Sequence, residues 1–170
     1  MQAIKFFKPL AALALCTLAL SAAAPSLAQE ASLKIDDPWV RATVPSQHAT
    51  GVFMRLTSAT PARLVAVESQ AAKHAEVHEM AMQDNVMKMR QVSGIDLPAG
   101  QAVELKPGGY HIMLLDLPGQ IKEGDHVALT LVVEDDKHQQ RRVPVNAIAR
   151  PLGAAATGHG AGGHGAAPAK

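Results

Sequence analysis

Cysteine is all but missing from this 170-residue chain: Cys16 is the only one, and it sits in an apolar run near the N-terminus. No intrachain disulfide can form, and beyond residue 16 any metal site must do without thiolate. Aromatic residues are scarce at 3%, and neither sign of charge dominates, since 16 Lys and Arg face 15 Asp and Glu for a formal charge of +1. A chain with no basic excess has nothing to neutralise a phosphate backbone, so nucleic acid is excluded as an expected partner. Hydrolase signatures are missing too: there is no Gly-x-Ser-x-Gly, no catalytic Cys in the body of the chain and no His-Glu-x-x-His. A binding protein is expected rather than an enzyme. Against these absences stand seven Met and eight His, an odd ratio for a core and a reasonable one for a metal site.

Apart from one stretch, long hydrophobic runs are lacking as well. Lys5 and Lys8 precede an uncharged apolar segment from Leu10 to Ala24, followed by Ser26-Leu27-Ala28. The apolar part is shorter than the roughly 20 residues a spanning helix needs. The pattern is that of a secretory signal peptide over residues 1–28, cleaved after Ala28. Bulky Leu15 directly before Cys16 argues against a lipoprotein cleavage site. Residues 1–28 hold two Lys and no acid, so cleavage leaves 14 basic against 15 acidic side chains. At the other end, residues 151–170 include seven Ala, six Gly and two Pro, too little apolar surface to offset the entropy of ordering. A disordered tail is expected there. It carries His159 and His164, which either capture a divalent metal weakly or belong to an inert tail.

Between these ends, residues 29–150 read as one all-β domain. Short runs rich in Val, Leu, Thr and Met recur between turn-forming clusters every 8 to 12 residues or so, the pattern of a sandwich or barrel. The expected strands cover residues 39–43, 51–57, 63–68, 75–82, 86–92, 102–105, 110–115, 126–134 and 142–146. Leu97-Pro-Ala-Gly100, Pro107-Gly-Gly109, Leu117-Pro-Gly119 and Lys122-Glu-Gly-Asp125 supply turns.

Strand side chains alternate between faces, which places His74, Glu76, His78, Met80 and Met82 on one side. A tight turn at Gln83-Asp84 would set His78 opposite Met89 and Met80 opposite Met87, and an even loop is needed to keep both sets on one face. His111 and Met113, two apart, also share a face. Ten residues separate His78 from Met89, 21 separate Met89 from His111, and one separates His111 from Met113.

Two imidazoles and two thioethers make a soft, neutral donor set suited to Cu(I). Zn(II) prefers thiolate, imidazole and carboxylate, and a blue-copper centre needs a Cys. Taken singly, each residue reads as core filler or surface. Taken together they do not, because four Met fall between residues 80 and 89, while Met54 and Met113 are the only others after residue 28. His48, His74, His126 and His138 are expected at the surface, with His74 sharing the face of His78.

The strings His78-Glu-Met80, Val86-Met-Lys-Met-Arg90 and Leu105-Lys-Pro-Gly-Gly-Tyr-His-Ile-Met113, with Asp37-Pro-Trp-Val-Arg41 near the start, resemble the PCuAC family of periplasmic copper chaperones over roughly residues 35–148. The resemblance implies a cupredoxin-like Greek-key β-sandwich or barrel holding Cu(I) at an exposed site through His78, Met89, His111 and Met113. It also implies delivery to the CuA centre of cytochrome c oxidase, alongside Sco-type proteins, by a soluble protein expected to be a monomer. Some members of that family carry a His- and Met-rich tail with a Cu(II) site, whereas this tail has His and no Met. Two other readings stand beside delivery: periplasmic copper buffering or resistance, in which the same site sequesters the ion, and a β-sandwich adhesion or assembly module with incidental Met.

Overall fold

The computed structural model describes residues 33–153. The expected signal peptide, with Cys16, and the tail histidines His159 and His164 lie outside the described residues. Ten strands follow in order: β1 (Leu33–Arg41), β2 (Ala49–Ser58), β3 (Ala62–Ser69), β4 (His74–Gln83), β5 (Val86–Gln91), β6 (Ile95–Leu97), β7 (Ala102–Leu105), β8 (Tyr110–Leu115), β9 (His126–Asp135) and β10 (Gln140–Arg150). The described residues are all-β, as their patterning predicts.

Alternation drives the longest strands. In β9, Val127, Leu129, Leu131 and Val133 are all at most 4% exposed, while His126 and Ala128 on the other face are exposed and Val132 alone on that face is buried. Each such burial contributes about 1.5–3 kcal/mol before chain entropy is counted. The strands run β5-β4-β8-β7-β2-β1-β10-β9-β3-β6. Buried residues from one half of that order (Val77, Ile112, Leu114) share a single core with residues from the other half (Leu64, Leu131, Val133). The sheet is therefore folded over on itself as a sandwich. Its bend passes through β2, whose first half (Ala49 to Val52) pairs with β8 and whose second half (Met54 to Thr57) pairs with β7.

The structure lengthens β1 and β10, and each contains a proline. β1 begins at Leu33 rather than at Trp39 because the chain bulges between Asp36 and Trp39, with Asp37 at φ 51°, and a bulge accommodates Pro38. Arg150 bonds to the Asp37 carboxylate and lies over the Trp39 ring, 5.4 Å from its centroid. β10 runs through Pro144, which has β9 on one side, whereas β1 joins the other side only from Ile148 onward. A proline's missing N–H is harmless where no neighbouring strand waits for it. β6, three residues long and closed by Pro98, is too short to show a period, yet Ile95 and Leu97 are buried against β3.

Candidate metal centre

The site grows from one end of the sheet, where β8, β4 and β5 lie side by side. β8 turns Ile112 and Leu114, both fully buried, into the core, which leaves His111 and Met113 on the opposite face. β4 lies antiparallel to β8 with His78 opposite His111 and Glu76 opposite Met113. β5 is the edge strand, reached through a two-residue turn at Asp84 and Asn85, with φ of 52° and 62°. Two successive positive φ values belong to the type I′ turn, whose twist suits a hairpin.

This turn corrects the expected register. The loop lies one residue later than Gln83-Asp84, so Met80 faces Met89, Met82 faces Met87, and His78 faces Gln91 rather than Met89. Because the shift moves each partner by two positions, every side chain keeps its face. Met89 thus stands diagonal to His78, and its side chain reaches across β4 to bring Sδ within 3.3 Å of His111 Nε2.

The protonation of His111 follows from its other nitrogen. Nδ1 lies 3.0 Å from the Gly109 carbonyl oxygen, which can only accept, so Nδ1 carries the hydrogen and donates it. In the neutral ring Nε2 is then a bare lone pair. Burial lowers the His111 pKa below its ordinary 6.5; the Gly109 bond acts the other way, while His78 and Arg41 add to the lowering. Thioether sulfur also has no hydrogen to give. Two acceptors facing each other at 3.3 Å are an arrangement that would suit two donors to one cation.

His78 is prepared in the complementary way. Its Nε2 lies 2.8 Å from Glu76 Oε2, a carboxylate oxygen that accepts, while Nδ1 is buried with no hydrogen-bond partner. A metal-binding histidine typically gives its second N–H to a carboxylate or carbonyl, which fixes ring and tautomer. Glu76 does this for His78, and Gly109 does it for His111. The two imidazole centroids are 5.8 Å apart.

Met80, Met89, His111 and Met113 line an open cavity of about 300 Å³ together with Arg41 and Phe53. Three of the four residues expected from sequence therefore share its wall, and His78 adjoins them through His111. His78 and His111 are 9% and 6% exposed, whereas Met89 is 50% exposed. The imidazoles are thus held within the sheet while the edge-strand sulfur faces solvent. Among the described residues no three His, Asp or Glu side chains are grouped to hold a metal, so a site at this place depends on thioethers. His48, His74, His126 and His138 are exposed as expected; His74 sits opposite Leu115 at the far end of β4, with Nε2 3.9 Å from Asp116.

Sequence reasoning missed Glu76 and Gly109 as orienting groups and Met80 as part of the wall. Glu76 stood on the right face, two residues from His78, which was the available signal. Nothing local marks the Gly109 carbonyl.

The model of the family described as putative lipoprotein LpqE-like matches residues 33–145. A putative lipoprotein of Leifsonia xyli subsp. xyli is 30% identical over 132 residues, which span 76% of this chain and 80% of that protein. Among solved structures, the copper-bound PCuAC domain from PmoF2 matches 70% of this chain and 92% of its own, at 25% identity and a TM-score of 0.55. The solution structure of CuI-DR1885 from Deinococcus radiodurans matches 72% of this chain and 81% of its own, at 26% identity and a TM-score of 0.52. With the family model and the fold in agreement, the chain belongs to the LpqE-like family, whose β domain is of the PCuAC type.

Proposed function

We propose that this protein is an exported copper carrier that holds one Cu(I) through His78, Met89, His111 and Met113 and passes it on by ligand exchange. The observation that carries this reading is the pair of hydrogen-free donors, His111 Nε2 and Met89 Sδ, 3.3 Å apart at the mouth of an open cavity. The unpartnered Nδ1 of His78 supports it, as does the likeness to the copper-bound PCuAC domain from PmoF2 and to CuI-DR1885. Copper is cargo here, and the protein's part is to present soft, neutral donors that bind it without a strong charge trap. Thioethers also cannot be lost to disulfide formation in an oxidising compartment, although sulfoxidation remains open to them.

Burial sets the order of exchange. Met89 is half exposed and the imidazoles are nearly buried, so an incoming donor reaches the ion from the Met89 side and displaces that thioether first. This accessibility favours transfer over sequestration. The recipient proposed is the CuA centre of cytochrome c oxidase, with Sco-type proteins alongside, and the compartment is the periplasm. A deletion strain that loses oxidase activity at low copper supports delivery. One that only becomes copper-sensitive supports buffering and overturns the carrier reading.

A further inference from the structure

The β4–β5 hairpin continues past the candidate metal centre, and the face it shares with that centre is unusual. Met80 faces Met89, and Met82 faces Met87, on the same side of the hairpin as His78. A two-residue turn makes Gln83 and Val86 the hydrogen-bonded closing pair, so both Met pairs fall at non-hydrogen-bonded positions. Backbones at such positions approach to about 4.5 Å, which brings opposite side chains close together. The two pairs are two residues apart along the strands, about 7 Å.

Core packing does not explain the outer pair. Met82 is 63% exposed and Met87 is 44% exposed, so neither fills a gap. Charged side chains occupy the other face of the hairpin, where Arg90 pairs with Glu79 and Ala81 faces Lys88. The Met face beyond Glu76, whose carboxylate is engaged by His78, carries no charge on either strand. A neutral row of thioethers leads from the hairpin tip to the cavity, with Met80 lining its wall.

We propose that Met82 and Met87 form a second, outer Cu(I) site of two thioethers, which takes up the ion at the hairpin tip and hands it past Met80 to the inner donors. The hand-over rests on the carrier reading given above; the outer site itself does not. Two thioethers are soft enough to hold Cu(I) and too few to hold it tightly, which suits a place the ion must leave. The step is ligand exchange alone: sulfur lone pairs are replaced by others and copper stays Cu(I).

Titration of the full chain, carrying 13C-labelled Met methyl groups, with Cu(I) under reducing conditions tests this, beside M82L/M87L. Leu keeps the volume and the apolar surface while removing the sulfur. The expected result is that one equivalent shifts the Met89 and Met113 methyls and a second shifts those of Met82 and Met87. In M82L/M87L the second equivalent is lost, the first keeps its affinity within about a factor of two, and loading from a Cu(I)–chelator complex is slower. Met82 and Met87 methyls that stay still at two equivalents overturn the outer site, even with the inner site intact. So does M82L/M87L with unchanged stoichiometry and loading rate, a result that leaves the row as an apolar docking strip. Shifts at Met82 and Met87 without a tight first equivalent uphold the outer site and refute the carrier reading instead.

Discussion

His111 Nε2 and Met89 Sδ face each other at 3.3 Å across an intervening strand, and neither atom has a hydrogen to offer the other. Such a contact gains nothing by itself. It makes sense as two sides of a cation site, and consequences for both residues follow.

Met89→Leu removes the sulfur and nearly conserves the volume. Cu(I) affinity is expected to fall by more than about tenfold, the low end of what loss of even an outer partner of a metal ligand costs, with thermal stability of the apo form nearly unchanged because the side chain is half exposed. Competition titration and a melting curve on the same sample check both halves. Unchanged affinity removes Met89 from the ligand set.

Glu76→Ala leaves every proposed donor in place but frees the His78 ring. Loss of the partner that fixes the tautomer is expected to weaken Cu(I) binding about 10- to 100-fold. The His78 ring signals should broaden or move in the apo protein, which separates loss of positioning from loss of a ligand.

The pKa values of two histidines are shifted in opposite directions. His111 has its pKa lowered from 6.5 chiefly by burial, and His138 has its pKa raised from 6.5 by its bond to Glu134. For His111 the unfolded chain therefore binds more protons than the folded one between the lowered value and 6.5, so apo stability falls as pH drops through that window. His138 acts with the other sign: it contributes stability below 6.5, which is lost as pH rises through its raised value. NMR titration of the imidazoles orders the two, and His111 titrating above His138 would contradict the burial of the site.

Gly51 faces Met113 across β2 and β8, and a Cβ added there would lie 2.7 Å from Phe53 Cζ. The Phe53 ring packs 4.4 Å from Trp39 on one side and lines the cavity on the other, so it must swing toward the cavity to make room. Gly51→Ala is expected to cost about 1–3 kcal/mol as an overpacked site. Trp39 is the only tryptophan, and its emission reports the displaced ring directly.

The strands most legible in the sequence are those with clean alternation. β7 and β8 match their expected ends, and β9 and β4 differ by a residue or two at their termini. Pro38 concealed strand that a bulge permits, whereas the strand expected at 142–146 already ran through Pro144 and was only extended at both ends. The spacing of His78, Met89, His111 and Met113 was visible, and the face assignment survived the shifted turn because the shift preserved parity. Register itself was not legible, since Gln83-Asp84 and Asp84-Asn85 are both plausible turns and only φ above zero at Asp84 and Asn85 decides between them. Orientation of the imidazoles was out of reach, because it depends on Gly109 and Glu76 through folding of three strands.

The central claim is that these four side chains form one Cu(I) site. Titration of the protein with Cu(I) against a chromogenic chelator, beside a variant carrying His78→Ala, Met89→Leu, His111→Ala and Met113→Leu, tests it most directly. The account predicts one tight equivalent in the native protein and its loss in the variant. Equal binding by both would contradict it and return the methionines of the hairpin to another role.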